Sequence, residues 1–108
     1  MRRLFLLPRY QRDVARLLGA KERDEMERSI ADAPERHPVI AGGGGMRKAR
    51  WALPGRGKRA GVRAIYYFAA PDAVYFVAVY AKNEKENLSD AEKKALARIL
   101  RPVKRQED

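Results

Sequence analysis

Along the chain the pattern of apolar and polar positions changes period twice. Leu4 to Leu7 is a short apolar run closed by Pro8, which suits a buried strand. Tyr10, Val14, Leu17 and Leu18 then recur at the spacing of one helical face, and Gly19 ends that helix. A second helix is predicted from about Ala20 to Ala33, with Met26, Ile30 and Ala33 as a narrow apolar stripe and Pro34 as its stop. Its charges, Glu22, Arg23, Asp24, Glu25, Glu27 and Arg28, nearly balance and read as a solvated face. Pro34 to Gly45 holds two prolines and four consecutive glycines and is read as a loop, with His37 facing solvent. The run Gly42 to Gly45 lacks the Gly-Lys-Ser/Thr ending of a phosphate cradle, so it is read as a plain turn.

From Met46 to Leu53 the period becomes two, with Lys48 and Arg50 on one side and Ala49, Trp51 and Leu53 on the other. Pro54 to Gly61 is a basic turn studded with glycine. Val62 to Ala69 and Val74 to Tyr80, split by Pro71-Asp72, are rich in β-branched and aromatic residues. Three successive strands with short connections predict antiparallel pairing. Ser89-Asp90-Ala91-Glu92 is a capping box, and Ala95, Leu96, Ile99 and Leu100 carry a helix to Pro102. The order β-α-α-β-β-β-α predicts a small α+β fold, a mostly antiparallel four-stranded sheet with helices packed on one face and the other face partly open. One domain is expected over residues 1–102, followed by a fraying tail over 103–108.

Composition narrows the chemistry. With 108 residues, 45% of them apolar, the chain can bury one core despite 35% charged residues. It has no cysteine and a single histidine, so thiolate and histidine metal sites are not expected, and neither is a cofactor. The first apolar run is too short for a signal peptide or a bilayer span, and a cytoplasmic protein without membrane contact is expected. Lys and Arg number 24 against 14 acidic residues, a net charge of +10 that points to nucleic acid as partner.

That charge is concentrated. From Arg36 to Pro71 there is no acidic residue, while Arg36, Arg47, Lys48, Arg50, Arg56, Lys58, Arg59 and Arg63 all fall there. Strand parity puts Lys48 and Arg50 together and gives Arg63 the face of Ile65 and Tyr67, so the three can converge across one hairpin as a phosphate-binding surface. Tyr66, Tyr67 and Tyr80 are either base-stacking platforms or core residues, and the cluster is either a site or a lysine-guarded sheet edge.

Three blocks carry a family resemblance: Gly45-Met46-Arg47-Lys48-Ala49-Arg50-Trp51; Pro54-Gly55-Arg56-Gly57-Lys58-Arg59-Ala60-Gly61-Val62-Arg63-Ala64-Ile65-Tyr66-Tyr67; and Tyr80-Ala81-Lys82-Asn83-Glu84-Lys85 with Leu88-Ser89. Together they resemble the RelE-superfamily toxins of the HigB branch, and the element order matches over nearly the whole chain. The resemblance implies the toxin of a toxin–antitoxin pair, a ribosome-dependent endoribonuclease that cuts mRNA in the A site, with an antitoxin, the ribosome and mRNA as partners. It puts the family's catalytic arginine on Arg63, its basic pair on Lys48 and Arg50, and further basic groups on Lys58 and Lys82. Arg47, Arg56 and Arg59, with Tyr67 and Tyr80, complete the expected RNA-binding surface. Asn83 stands where some members have a second arginine, and Leu88-Ser89 where they have a tyrosine, for which Tyr80 or Tyr67 is the candidate substitute.

The residues support the same chemistry. Cleavage of RNA by its own 2′-hydroxyl needs a base, stabilisation of the charged phosphorane and an acid for the leaving oxygen. Without a placed histidine, a lysine whose pKa is lowered by crowded cations is the natural base, and Arg63 the bidentate phosphate ligand. Glu84 reads as an ion-pair partner of a neighbouring lysine. Two other readings share this fold or charge: a ParE-type toxin that binds DNA gyrase and cuts nothing, and a non-catalytic RNA- or ribosome-binding module.

Overall fold

Pro8 opens the first helix, where a missing N–H costs nothing, and Leu18 ends it by returning its N–H to the Val14 carbonyl. Gly19 is less a stop than a start, because it is the N-cap of the next helix and its N–H donates to Glu22 Oε1 at 3.2 Å. The structure, a computed structural model, describes residues 2–53 and 61–106. Its elements are β1 (Arg3–Leu6), α1 (Pro8–Leu17), α2 (Ala20–Asp32), β2 (Arg47–Ala52), β3 (Gly61–Ala69), β4 (Ala73–Ala81) and α3 (Asp90–Gln106). The predicted element order and α+β class hold. The strands form one sheet in the order β1-β4-β3-β2, with β1 parallel to β4 and the other two pairs antiparallel.

The helices do not gather on one face. From α1 and α2, Tyr10, Val14, Met26 and Ile30 pack on one side of the sheet with Ala64, Tyr66 and Phe76. From α3, Leu96 and Leu100 pack on the other side with Met46, Ile65, Val77 and Ala78. The reason lies in β3 and β4, whose apolar residues run almost without interruption and are therefore buried on both faces. A strand of that kind needs cover on both sides, and α3 supplies the second.

Two further expectations are corrected. The predicted tail from Val103 is helical to Gln106: Pro102 lies inside α3. Proline removes a single helical hydrogen bond, and beyond it Val103 still packs against the second core while Lys104 Nζ donates to the Gly44 carbonyl. Glu27, read as part of a solvated face, is buried; its Oε2 accepts from the Tyr10 hydroxyl at 2.7 Å and from Arg23 Nε at 2.9 Å. Those bonds satisfy the polar groups beside a hollow of about 430 Å³ between α1 and α2.

The Pro34 to Gly45 loop is more than a connection. Its Val39 bridges Arg47, the Ile40 N–H donates to the Met46 carbonyl, and the Lys48 N–H donates to the Pro38 carbonyl, so it covers part of the outer edge of β2. The reading of the basic cluster as guard of an open edge loses its basis there.

Candidate functional site

The register of the sheet brings the basic residues together. Arg50 of β2 lies opposite Arg63 of β3, and Arg63 in turn lies opposite Tyr80 of β4. Lys48 is two pairs along, opposite Ile65. Alternation places Lys48, Arg50 and Arg63 on the face that α3 covers, opposite Ala49 and Leu53, which belong to the other core. The expected convergence across the hairpin is therefore present.

Tyr80 reaches that face through an irregularity. Simple alternation along β4 would put Tyr80 with Val74 and Phe76, on the α1 side. The register shifts between Ile65 and Tyr66, which pair with Ala78 and Phe76, and the extra residue Val77 turns the following part of the strand over. Tyr80 thus shares the core of Ile65 and Leu96, not that of Phe76.

Over this end of the sheet lies a cleft of about 280 Å³. Lys48, Arg50, Tyr80, Asn87 and Lys93 line it, with the segment from Pro38 to Ala41 as an apolar wall. Lys48 Nζ donates to Asn87 Oδ1 at 2.8 Å, and Lys93 Nζ to the Ala41 carbonyl at 2.9 Å. Arg63 forms part of the sheet beneath and is only 6% exposed, which corrects the expectation that its face is open. The physical reason is that β3 is an interior strand and α3 with its preceding loop closes over it.

Arg63 Nε and the Tyr80 hydroxyl are both buried without a hydrogen-bond partner. Leaving such a group unsatisfied costs roughly 1–3 kcal/mol, and more for a charged one. Arginines directly opposite one another in a sheet add repulsion. Among the described residues no ion pair involves Lys48, Arg50 or Arg63. The arrangement is a concentration of positive charge and unused donors, suited to an anion.

Electrostatics at the cleft follow. Burial, then the Arg50 and Arg63 guanidiniums and the Lys93 ammonium, hold Lys48 below the usual lysine range, against the Glu86 carboxylate that draws it back up. Crowded cations contribute as expected, and burial is the largest single cause. Burial pushes the Tyr80 phenol up; Arg63 and Arg50 oppose the rise, and Glu92 and Glu86 add to it.

The remaining sequence candidates separate. Arg47 points to the opposite face and donates to the carbonyls of Glu35 and His37, at 3.2 and 2.7 Å. Tyr66 is fully buried, with its hydroxyl on the Pro34 carbonyl at 2.7 Å. Tyr67 is half-buried under Lys104, and the Tyr80 ring is buried with Lys85 Nζ over it at 5.2 Å, so the Tyr80 hydroxyl, not its ring, is the group the cleft offers. Lys82 follows β4, its N–H on the Gly61 carbonyl, and among the described residues Glu84 pairs with Arg16 of α1 at 3.6 Å and with no lysine. Lys58, Arg56 and Arg59 lie outside the described residues. Asn87 and Lys93 were not singled out from sequence; Lys93 stands four residues after Ser89, whose position in the capping box was the available signal.

The sequence pattern that defines the RelE toxin of RelE/RelB toxin–antitoxin systems matches residues 11–107, from α1 through α3. The chain belongs to the RelE toxin family. It is thus the toxin of a toxin–antitoxin system, and family membership implies an antitoxin partner. All the cleft residues of this RelE-family toxin lie inside the match, which leaves out only β1 and the start of α1. Among the described residues no helix is long and apolar enough to cross a membrane.

Proposed function

We propose that this RelE-family toxin is a ribosome-dependent endoribonuclease that cuts mRNA in the A site and so stops translation. The observation that carries the reading is the buried, unpartnered Arg63 Nε, between Arg50 and the unpartnered Tyr80 hydroxyl, beneath a cleft that also holds Lys48. A scissile phosphate supplies the acceptors these donors lack. An inhibitor of a protein target has no comparable need for donors focused on one point.

In this mechanism Lys48, whose ammonium form is disfavoured by burial and by the neighbouring Arg50 and Arg63, takes the proton of the ribose 2′-hydroxyl. The 2′-oxygen attacks phosphorus, the bond from phosphorus to the 5′-oxygen breaks, and the products are a 2′,3′-cyclic phosphate and a 5′-hydroxyl. Arg63 and Arg50 stabilise the phosphorane, whose charge exceeds that of the ground state. The Tyr80 phenol, kept protonated by burial, gives its proton to the leaving 5′-oxygen. Lys82 is assigned to the RNA backbone around this centre, and Lys58, Arg56 and Arg59, which lie outside the described residues, keep the RNA-contacting role that the family resemblance gives them.

Arg63→Ala tests the assignment. Loss of one preorganised donor to such an anion lowers the rate about a hundredfold to a thousandfold, so single-turnover cleavage of ribosome-bound mRNA should fall by that factor and toxicity to cells should vanish. Thermal melting should show a folded variant, because the change removes an unpaired buried charge along with its packing. A folded Arg63→Ala that cuts at the parental rate would refute the role given to Arg63.

A further inference from the structure

The loop between β4 and α3, residues 82–89, carries two carboxylates, Glu84 and Glu86, and Glu92 follows just inside α3. Glu84 is held by Arg16 of α1. Glu92, just inside α3, is held by Lys85 and by the Ser89 N–H. Glu86 is exposed and acts on Lys48 only through its field. The one side chain of this loop that bonds Lys48 is the neutral amide of Asn87, at 2.8 Å.

That choice has a chemical consequence. An amide oxygen accepts a hydrogen bond from an amine as well as from an ammonium, so it fixes the direction of Nζ in either state. A carboxylate at the same place would fix the direction too, but would favour the ammonium and remove the lone pair needed to take a proton. Asn87 lines the cleft together with Lys48, so its amide sets how the nitrogen faces the cleft.

We infer that Asn87 is a positioning residue that aims the Lys48 amine at the substrate 2′-hydroxyl with a neutral acceptor in place of a carboxylate. The inference rests on the nuclease reading above and assigns to this site a residue that acts through Lys48. The charged groups around Lys48 come from every side: Arg50 on its own strand, Arg63 on β3, Lys93 on α3 and Glu86 in the loop. Tyr80 of β4 lines the same cleft. Of these only Glu86 favours the ammonium, and a second carboxylate at position 87 would strengthen that side at contact distance.

The test compares the full chain with Asn87→Asp and Asn87→Ala. Asn87 is exposed, so both variants should melt near the parental temperature. Two quantities are read: the pH profile of mRNA cleavage on translating ribosomes, and the titration midpoint of Lys48 followed by NMR of its labelled side chain in the free protein. The parental rate should rise with pH as Lys48 loses its proton. In Asn87→Asp that rise, and the Lys48 midpoint, should both move up by about one pH unit or more, since a carboxylate in contact shifts a partner by that order. Below the rise this appears as a roughly tenfold slower reaction. Asn87→Ala should lower the plateau severalfold without moving the rise upward. A merely structural tie would slow both variants equally at every pH and leave the Lys48 midpoint where it was, and that result overturns the inference. Parental cleavage by Asn87→Ala at every pH overturns it as well, while leaving the nuclease reading intact. Absence of cleavage by the parent chain overturns the nuclease reading itself.

Discussion

His37 is half-buried, with Nε2 enclosed and unpartnered and its ring edge-on to Tyr66 at 6.2 Å. Burial first, then the Arg36 and Arg47 guanidiniums, push it below the usual 6.5. In the unfolded chain His37 takes up a proton as the pH falls through that value, whereas in the folded protein it does so only at lower pH. Between the two the unfolded state binds more protons, so acidification removes stability. The melting temperature should therefore drop as the pH falls through the ordinary histidine range and below it, and His37→Gln should lose part of that drop. An identical drop in parent and variant would show that His37 is not responsible. Sequence gave no access to this burial, because a lone histidine beside a proline carries no periodic pattern. It also placed Lys48, Arg50 and Arg63 on one face correctly, while misjudging the exposure of Arg63. Parity tells which residues share a face, but not what covers that face.

At the scale of elements, α3 is what turns the open face into a cleft with a floor. Leu96 and Leu100 are fully buried beneath it, and Lys93 and Lys104 tie it to carbonyls of the Pro34 to Gly45 loop. Leu100→Ala should destabilise the protein by about 2–5 kcal/mol, the range for a large-to-small change in a packed core, measured by denaturant titration. A loss below about 1 kcal/mol would mean that α3 is only loosely docked. The capping box at Ser89 and Glu92 made the start of this helix legible, and both of its reciprocal bonds are formed. Its end was not legible, since the penalty of Pro102 is local while the packing of Val103 and the bond from Lys104 come from distant segments. The bulge in β4 was hidden for a similar reason: one extra residue in an apolar run leaves no mark in the sequence, yet it decides that Tyr80 faces Arg63 and not the α1 core.

For the whole molecule, the net charge is +10, and four of its cations, Lys48, Arg50, Arg63 and Lys93, meet at the cleft. Engagement of phosphate there should release counterions, so affinity for the ribosome or for single-stranded RNA should fall steeply with salt, with a log–log slope of roughly −2 or steeper for three neutralised phosphates. A flat dependence, measured by binding titration at several salt concentrations, would indicate a protein target engaged through apolar contacts. The RelE class, the order of elements and the basic centre were all legible, because they are written in local periodicity and in charge that is contiguous along the chain. The second helical layer and the partners of the loop residues were not, because they depend on which distant surfaces meet. The most direct measurement is toeprinting of translating ribosomes with the purified protein, run beside a gyrase supercoiling assay. The account predicts new mRNA ends at the A-site codon and unimpaired supercoiling; intact mRNA together with inhibited supercoiling would contradict it.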